Sequence, residues 1–151
     1  MNLTREDVKR LGQRGEQPKK EPGDVLAVFV AGKLVNTLNA TGWYWRKRQR
    51  WAKEWKERTA QALLETEWSS AISLNPYPPV VPKRVHFTLH VARLMDSDAW
   101  PGCVKPVRDA LMPYVIHDDG PTSGHVFTYS QVKDGRRGVT VRARLRSVET
   151  P

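Results

Sequence analysis

Cysteine, acidic side chains and long apolar runs are all scarce in this chain of 151 residues. A single cysteine, Cys103, excludes an intrachain disulfide framework and any zinc site built from a cysteine cluster. No apolar run approaches the ~20 residues that a membrane-spanning helix needs. Residues 1–20 also lack the continuous apolar stretch of a signal peptide. We therefore expect a soluble, cytoplasmic protein.

The shortage of acidic residues leaves a large positive charge. The chain has 25 Lys and Arg against 16 Asp and Glu, which gives a formal net charge of +9. Such an excess favours polyanionic partners and carries no information about the fold. Nucleic acid is the expected partner, and a ribosome-associated or RNA-binding protein of similar composition is an alternative.

The hydrophobic pattern indicates a single α+β domain with the element order strand, long helix, strand, short helix, strand, strand. Residues 1–23 are predicted to form a polar lead-in and residues 24–151 the folded domain. The predicted elements are Val25–Ala31, Trp43–Glu67, Arg84–Arg93, Lys105–Met112, His125–Val132 and Gly138–Val148, with Tyr114–Ile116 as a further brief strand. The last two long strands flank Asp134 and Gly135 and are expected to form a terminal hairpin.

The long helix combines an apolar stripe with a basic surface. The stripe, whose members recur at spacings of three and four, consists of Trp51, Trp55, Thr59, Ala62 and Leu63. We interpret Trp51 and Trp55 as core residues. Trp43, Trp45 and Trp100 are the better candidates for contact with unpaired bases.

The strand Arg84–Arg93 alternates between apolar and polar side chains, which is typical of a half-buried strand. Its polar face carries His86 and His90, four residues apart and so on the same side. We interpret both histidines as ordinary polar-face residues rather than metal ligands.

In so basic a protein the aspartates are informative. Asp96, Asp98, Asp109, Asp118 and Asp119 fall within 24 residues that contain no glutamate. If the preceding strand continues through the first two, their carboxylates lie on one face, and the acidic pair at 118–119 follows the brief apolar run. Three converging carboxylates suit Mg²⁺, which can activate water for phosphodiester hydrolysis. Exposed loop aspartates are the alternative interpretation.

The same residues resemble the RusA family of Holliday-junction resolvases. That family has a strand leading into Asp-x-Asp-Asn, then Lys-Pro-x-x-Asp-Ala-Leu, then Asp-Asp. Here the corresponding segments are 96–98 (Asp-Ser-Asp), 105–111 (Lys-Pro-Val-Arg-Asp-Ala-Leu) and 118–119 (Asp-Asp). Upstream, Asn39 and the basic, aromatic start of the long helix also resemble the family, and the likeness covers about residues 25–147.

The resemblance implies roles for individual residues. Asp96, Asp98 and Asp119 match the metal-binding aspartates and Lys105 the catalytic lysine. Asp118 ranks behind Asp119, and Asp109 is interpreted as structural. The residues expected to contact DNA are Asn39, Arg46, Lys47, Arg48, Arg50, Arg142, Arg144 and Arg146.

The implied protein is a homodimeric, Mg²⁺-dependent (or Mn²⁺-dependent) endonuclease of mixed α/β fold. It would resolve four-way DNA junctions in recombination and repair, in the cytoplasm of a bacterium or of a phage-infected cell. Two features depart from the family pattern. Ala99 stands where asparagine is expected, with about three extra residues before Lys105, and Gly120–Gly124 is a further insertion. A non-catalytic DNA-binding dimer of the same fold is therefore the alternative.

Overall fold

The computed structural model describes residues 17–19, 21–35, 44–65, 83–112, 115–116 and 124–145. Within these residues the chain forms a four-stranded mixed sheet with helices on one face, which confirms the predicted α+β class. The strands are β1 (Asp24–Ala31), β2 (Lys83–Val91), β3 (Val126–Lys133) and β4 (Gly138–Leu145). The helices are α1 (Trp45–Glu65), the short 3₁₀ helix η1 (Ser97–Ala99) and α2 (Trp100–Ala110).

The strand order is β1-β4-β2-β3. β4 is antiparallel to both β1 and β2, whereas β2 and β3 are parallel. It follows that β1, β2 and β3 all run in the same direction, so their carboxyl ends lie at one edge of the sheet. We call this edge the carboxyl edge.

The expected terminal hairpin is wrong, because β3 and β4 do not pair with each other. β2 lies between them, with Val91 opposite Lys133 of β3 and His90 opposite Gly138 of β4. The short connection 134–137 therefore crosses the end of β2, and Gly135 adopts a positive φ of 78° in it. β2 is therefore an inner strand of the described sheet, paired on both sides, and β3 is an outer strand.

One face of the sheet and the two helices enclose the core. β1, β2 and β4 each direct side chains towards the helices. Among these, Val28, Phe87 and Val141 are fully buried. α1 contributes Trp55, Thr59, Ala62 and Leu63, as the helical spacing predicts, and Trp51 is half-buried against the same cluster. The packing thus confirms the core role expected for Trp51 and Trp55.

The short helix begins earlier than predicted. α2 starts at Trp100, with Pro101 in its first turn, and Pro106 lies inside the helix rather than at its beginning. Pro101 is favourable in this first turn, because backbone N–H groups there have no partner within the helix and proline lacks one. Residues 100–104, which depart from the family spacing, are accordingly the first turns of α2.

Candidate active site and nucleic-acid surface

Asp96 and Asp98 lie beyond the carboxyl end of β2. The strand ends at Val91, so the condition under which both carboxylates would lie on one strand face is not met. Asp96 is extended (φ −65°, ψ 144°), and its carbonyl accepts the backbone N–H of Ala99 at 3.0 Å. Asp98 belongs to η1, and both aspartates are exposed. The carboxylates are thus presented on a tight turn at the carboxyl edge rather than on a strand face.

A glutamine from β3 holds the backbone immediately before Asp96. The Met95 N–H donates to Gln131 Oε1 at 3.0 Å, and Gln131 Nε2 donates to the Met95 carbonyl at 2.8 Å. The Cys103 thiol, on α2, donates to the Val35 carbonyl at 2.9 Å and lies 3.5 Å from Met95 Sδ. These contacts link β3, α2 and the chain leaving β1 around Met95. They therefore anchor the backbone next to Asp96.

Lys105 is exposed on α2 and forms an ion pair with Asp109, 3.3 Å away and one turn further along. The interpretation of Asp109 as structural therefore needs refinement, because its carboxylate directly contacts the proposed catalytic lysine. α2 is itself held to β3, since Arg108 Nη1 donates to the Tyr129 hydroxyl at 3.0 Å. The guanidinium of Arg108 also lies over the ring of Phe127, 5.0 Å from its centroid.

The acidic pair Asp118 and Asp119 lies outside the described residues. The chain can be followed to Val115 and Ile116, which are buried in the core. Their N–H groups both approach the Leu111 carbonyl, at 2.7 and 3.4 Å, so these two residues form a turn after α2 and not the expected brief strand.

Asp96 and Asp98 have the properties that a hard cation such as Mg²⁺ requires of its ligands. Neither the Asp96 nor the Asp98 side chain has a hydrogen bond or ion pair with the described part of the chain, and both are accessible. Carboxylate oxygens without competing cations are the ligands that Mg²⁺ prefers. The described residues alone contain no group of three or more potential metal ligands, so a third carboxylate would have to come from elsewhere.

The basic end of α1 lies at the same edge of the sheet. Trp55 and Arg58 surround Gly32, the residue after β1, and Arg58 Nη1 donates to the Ala31 carbonyl at 3.2 Å. Because residues 59–63 pack into the core and Trp51 still contacts it, only the turns before Trp51 extend away from the core, past the carboxyl end of β1. Residues 44–50 are all exposed.

Four residues expected to contact DNA are found on this projecting part of α1, namely Arg46, Lys47, Arg48 and Arg50. The first turn of α1 contains no acidic residue. Tyr44 and Trp45 are 59% and 62% exposed, and the guanidinium of Arg46 lies 5.4 Å from the centroid of a Trp45 ring. Trp100, by contrast, is half-buried against the core. Trp43 lies outside the described residues.

The predicted DNA contacts on β4 are differently placed. Arg142 and Arg144 both bind the buried carboxylate of Asp24, Arg144 through Nε at 2.8 Å. Glu21 adds a second carboxylate, 2.9 Å from Arg142 and 3.5 Å from Arg144. These arginines are therefore already paired within the chain. Asn39 and Arg146 lie outside the described residues.

The electrostatics of Asp24 follow from these contacts. Burial acts to raise the pKa of this carboxyl group, but the hydrogen bond from Arg144, the Glu21 backbone N–H and the charges of both arginines outweigh it. The net result is a pKa below the usual value, which keeps Asp24 ionised in the folded protein.

Sequence reasoning missed the polar network on the sheet face opposite the helices. His86 and His90 do share this face. His86 Nδ1 lies 2.6 Å from the Thr128 hydroxyl and Nε2 2.8 Å from that of Ser130. Burial, together with the charge of Arg142, lowers the pKa of His86. In the sequence, only the alternation of polar residues along β2 pointed to this network. The partners of His86 could not be identified because they lie on β3, 42 and 44 residues further along the chain.

His90 is only 7% exposed and is bound on both sides of its ring. Asp134 Oδ2 lies 2.8 Å from Nδ1, and the Thr140 hydroxyl 2.8 Å from Nε2. Asp134 belongs to the connection that crosses β2, so this histidine ties that connection to β2 and β4.

No helix in the described ranges is long and apolar enough to cross a membrane. The sequence matches no family model, and comparison with curated proteins and with solved structures finds no significant match.

Proposed function

We propose that the chain is a Mg²⁺-dependent, structure-selective DNA endonuclease that cuts branched DNA such as four-way junctions, as in the RusA-like resolvases that its motifs resemble. The observation that carries this proposal is the arrangement at the carboxyl edge. Two accessible carboxylates, which have no hydrogen-bond or ion-pair partner among the described residues, stand on an anchored turn at the same end of the molecule as the exposed basic start of α1. Phosphodiester cleavage requires this combination, because metal-binding carboxylates alone would repel DNA.

The residues have distinct roles in the proposed reaction. Asp96 and Asp98, with Asp119, would hold the metal, which when bound would activate a water and neutralise charge on the phosphate. Gln131 orients Asp96 through the backbone of Met95. Lys105 donates a hydrogen bond to the phosphate or to the departing oxygen, where negative charge grows in the transition state.

Asp109 keeps the Lys105 ammonium group in place before the substrate binds. A phosphate oxygen then competes with the Asp109 carboxylate for the same group. The arginines on the first turns of α1 would position the strand through its phosphates, which sets register without reading sequence. A homodimer would supply one such site for each of the two symmetric cuts.

The decisive experiment is cleavage of labelled four-way junction with and without Mg²⁺. Wild-type protein should nick the junction symmetrically only when the metal is present. Asp98→Asn should abolish cleavage while keeping or improving junction binding, because a metal ligand and a repelling negative charge are both removed. Asp96→Asn and Asp119→Asn should behave alike.

Glu57→Gln is the matched control, since it removes one carboxylate charge from an exposed position on α1. It should cut like the wild type. Nicking that survives in the Asp98→Asn protein would contradict the assigned site. Metal-independent junction binding without any cleavage would favour a non-catalytic DNA-binding dimer. The ion pair between Lys105 and Asp109 is compatible with that alternative, because it occupies the proposed catalytic ammonium group.

A further inference from the structure

We propose that Tyr44 and Trp45 form a stacking platform for unpaired bases of a DNA strand, and that the cations following them on α1 bind the phosphates of that strand. This inference goes beyond the proposed cleavage reaction and rests on it only for the identity of the strand as DNA. We define the platform as Tyr44 and Trp45 together with Arg46, Lys47, Arg48 and Arg50.

Exposure is the first argument. Soluble proteins usually bury aromatic rings, yet these two neighbours are 59% and 62% exposed. The core-facing stripe of the same helix buries Trp55 to 3% exposure and half-buries Trp51. The contrast along one helix shows that the rings at its start do not contribute to the core formed by the described residues.

Charge identifies the kind of partner. A purely apolar docking site would be flanked by neutral residues, whereas four of the five residues 46–50 are cationic and the first acidic residue is Glu54. Aromatic faces combined with closely spaced cations suit a flexible polyanion whose bases are unpaired, since bases stack on the rings while phosphates meet the cations. A paired duplex keeps its base faces covered and offers only its phosphates.

Location links the platform to the candidate active site. Trp45 lies ten residues before Trp55, which corresponds to about 15 Å along a helix. Trp55 touches Gly32 at the carboxyl edge, and the Asp96–Asp98 turn follows β2 at that same edge. The platform and the aspartates therefore lie at the same end of the molecule.

The test is equilibrium binding of three labelled strands in EDTA, where no cleavage can occur: a short oligothymidine, an abasic strand of equal length and the corresponding duplex. Trp45→Ala should weaken oligothymidine binding about 5- to 150-fold, the range expected for one stacked base. Affinity for the abasic strand, which has the same phosphates, should stay unchanged. Trp45→Phe should restore most of the loss because it keeps a ring.

Leu64→Ala is the control, as it truncates another exposed apolar side chain on the same helix. Equal affinity of wild-type and Trp45→Ala protein for oligothymidine would overturn the proposal, as would an equal loss with the abasic strand. Binding to oligouridine more than about tenfold tighter would overturn the assignment to DNA. A junction-cleavage assay that fails would not affect these results, so the two proposals are separable.

Discussion

Lys105 and Asp109 provide the sharpest test at the scale of single residues. If Lys105 stabilises transition-state charge, Lys105→Ala should slow single-turnover cleavage about 100- to 1,000-fold at saturating protein while junction affinity changes little. Lys56→Ala, which removes an exposed lysine from α1, is the control and should cut normally. An unchanged single-turnover rate with weaker binding would make Lys105 a phosphate anchor instead.

Asp24 predicts a stability effect that is separate from catalysis. Asp24→Asn leaves Arg142 and Arg144 without their buried anionic partner. We expect a loss of about 3 kcal/mol in the free energy of unfolding, the lower end for breaking a buried ion pair, because Arg144 is 43% exposed. Denaturant unfolding at neutral pH measures this difference, and a loss within experimental error would contradict the interpretation.

The pH dependence of the same variant has a defined sign. Because the folded-state pKa of Asp24 is lowered, its ionised form stabilises the protein above the unfolded-state pKa near 4. This stabilisation is lost as the pH falls through the folded-state pKa. Wild-type and Asp24→Asn unfolding free energies should therefore converge below about pH 4. A gap that stays constant under acid conditions would exclude ionisation of Asp24 as its cause.

At the scale of elements, the link between β3 and the Asp96–Asp98 turn predicts an effect on activity at a distance. Gln131→Leu removes both hydrogen bonds to the Met95 backbone. We expect about 1–3 kcal/mol of destabilisation from the unsatisfied backbone groups. Cleavage should fall by about a hundredfold, because small displacements of catalytic groups are costly.

Thr128→Val is the matched control for Gln131→Leu, since it removes one side-chain hydrogen bond from the opposite face of the same strand. If both variants lose activity in proportion to their loss of stability, Gln131 has no specific role in positioning Asp96. A selective loss of cleavage in Gln131→Leu supports that role.

Local patterns predicted the elements well and their partners poorly. β1, α1 and β2 end within two residues of the predicted bounds, because hydrophobic periodicity and flanking glycines act locally. The hairpin prediction is wrong because it assumed that strands joined by a short turn pair with each other. The predicted start of α2 at Lys105 is wrong because the helix begins at Trp100, with Pro101 and not Pro106 in its first turn.

The candidate site shows the same division. Exposure of Asp98 and Lys105 agrees with roles that need access to substrate. The contacts that position them were not predictable, since Met95 and Gln131 are 36 residues apart and Asp24 and Arg144 are 120 apart. Such pairs become neighbours only through strand order, which periodicity does not encode.

At the scale of the whole molecule, the proposed junction activity predicts a dimer. Two symmetric nicks need two sites, so light scattering should give about twice 17.3 kDa. Junction binding should weaken steeply with salt, with a log–log slope corresponding to roughly six or more phosphate contacts. A monomer at micromolar concentration, with or without junction DNA, would contradict the resolvase function and leave a single-site nuclease or a binding protein.

The position of β4 has a consequence for how the protein is made. β4 is the last described strand in the chain, yet it is the only one that joins β1 to the rest of the described sheet. During synthesis, at about 5–20 residues per second, β1 must wait several seconds for the strand that pairs with it. Pairing across more than 100 residues is also typical of slow folders. A nascent chain that stops before residue 138 would leave β1 exposed, and we expect such fragments to aggregate rather than fold.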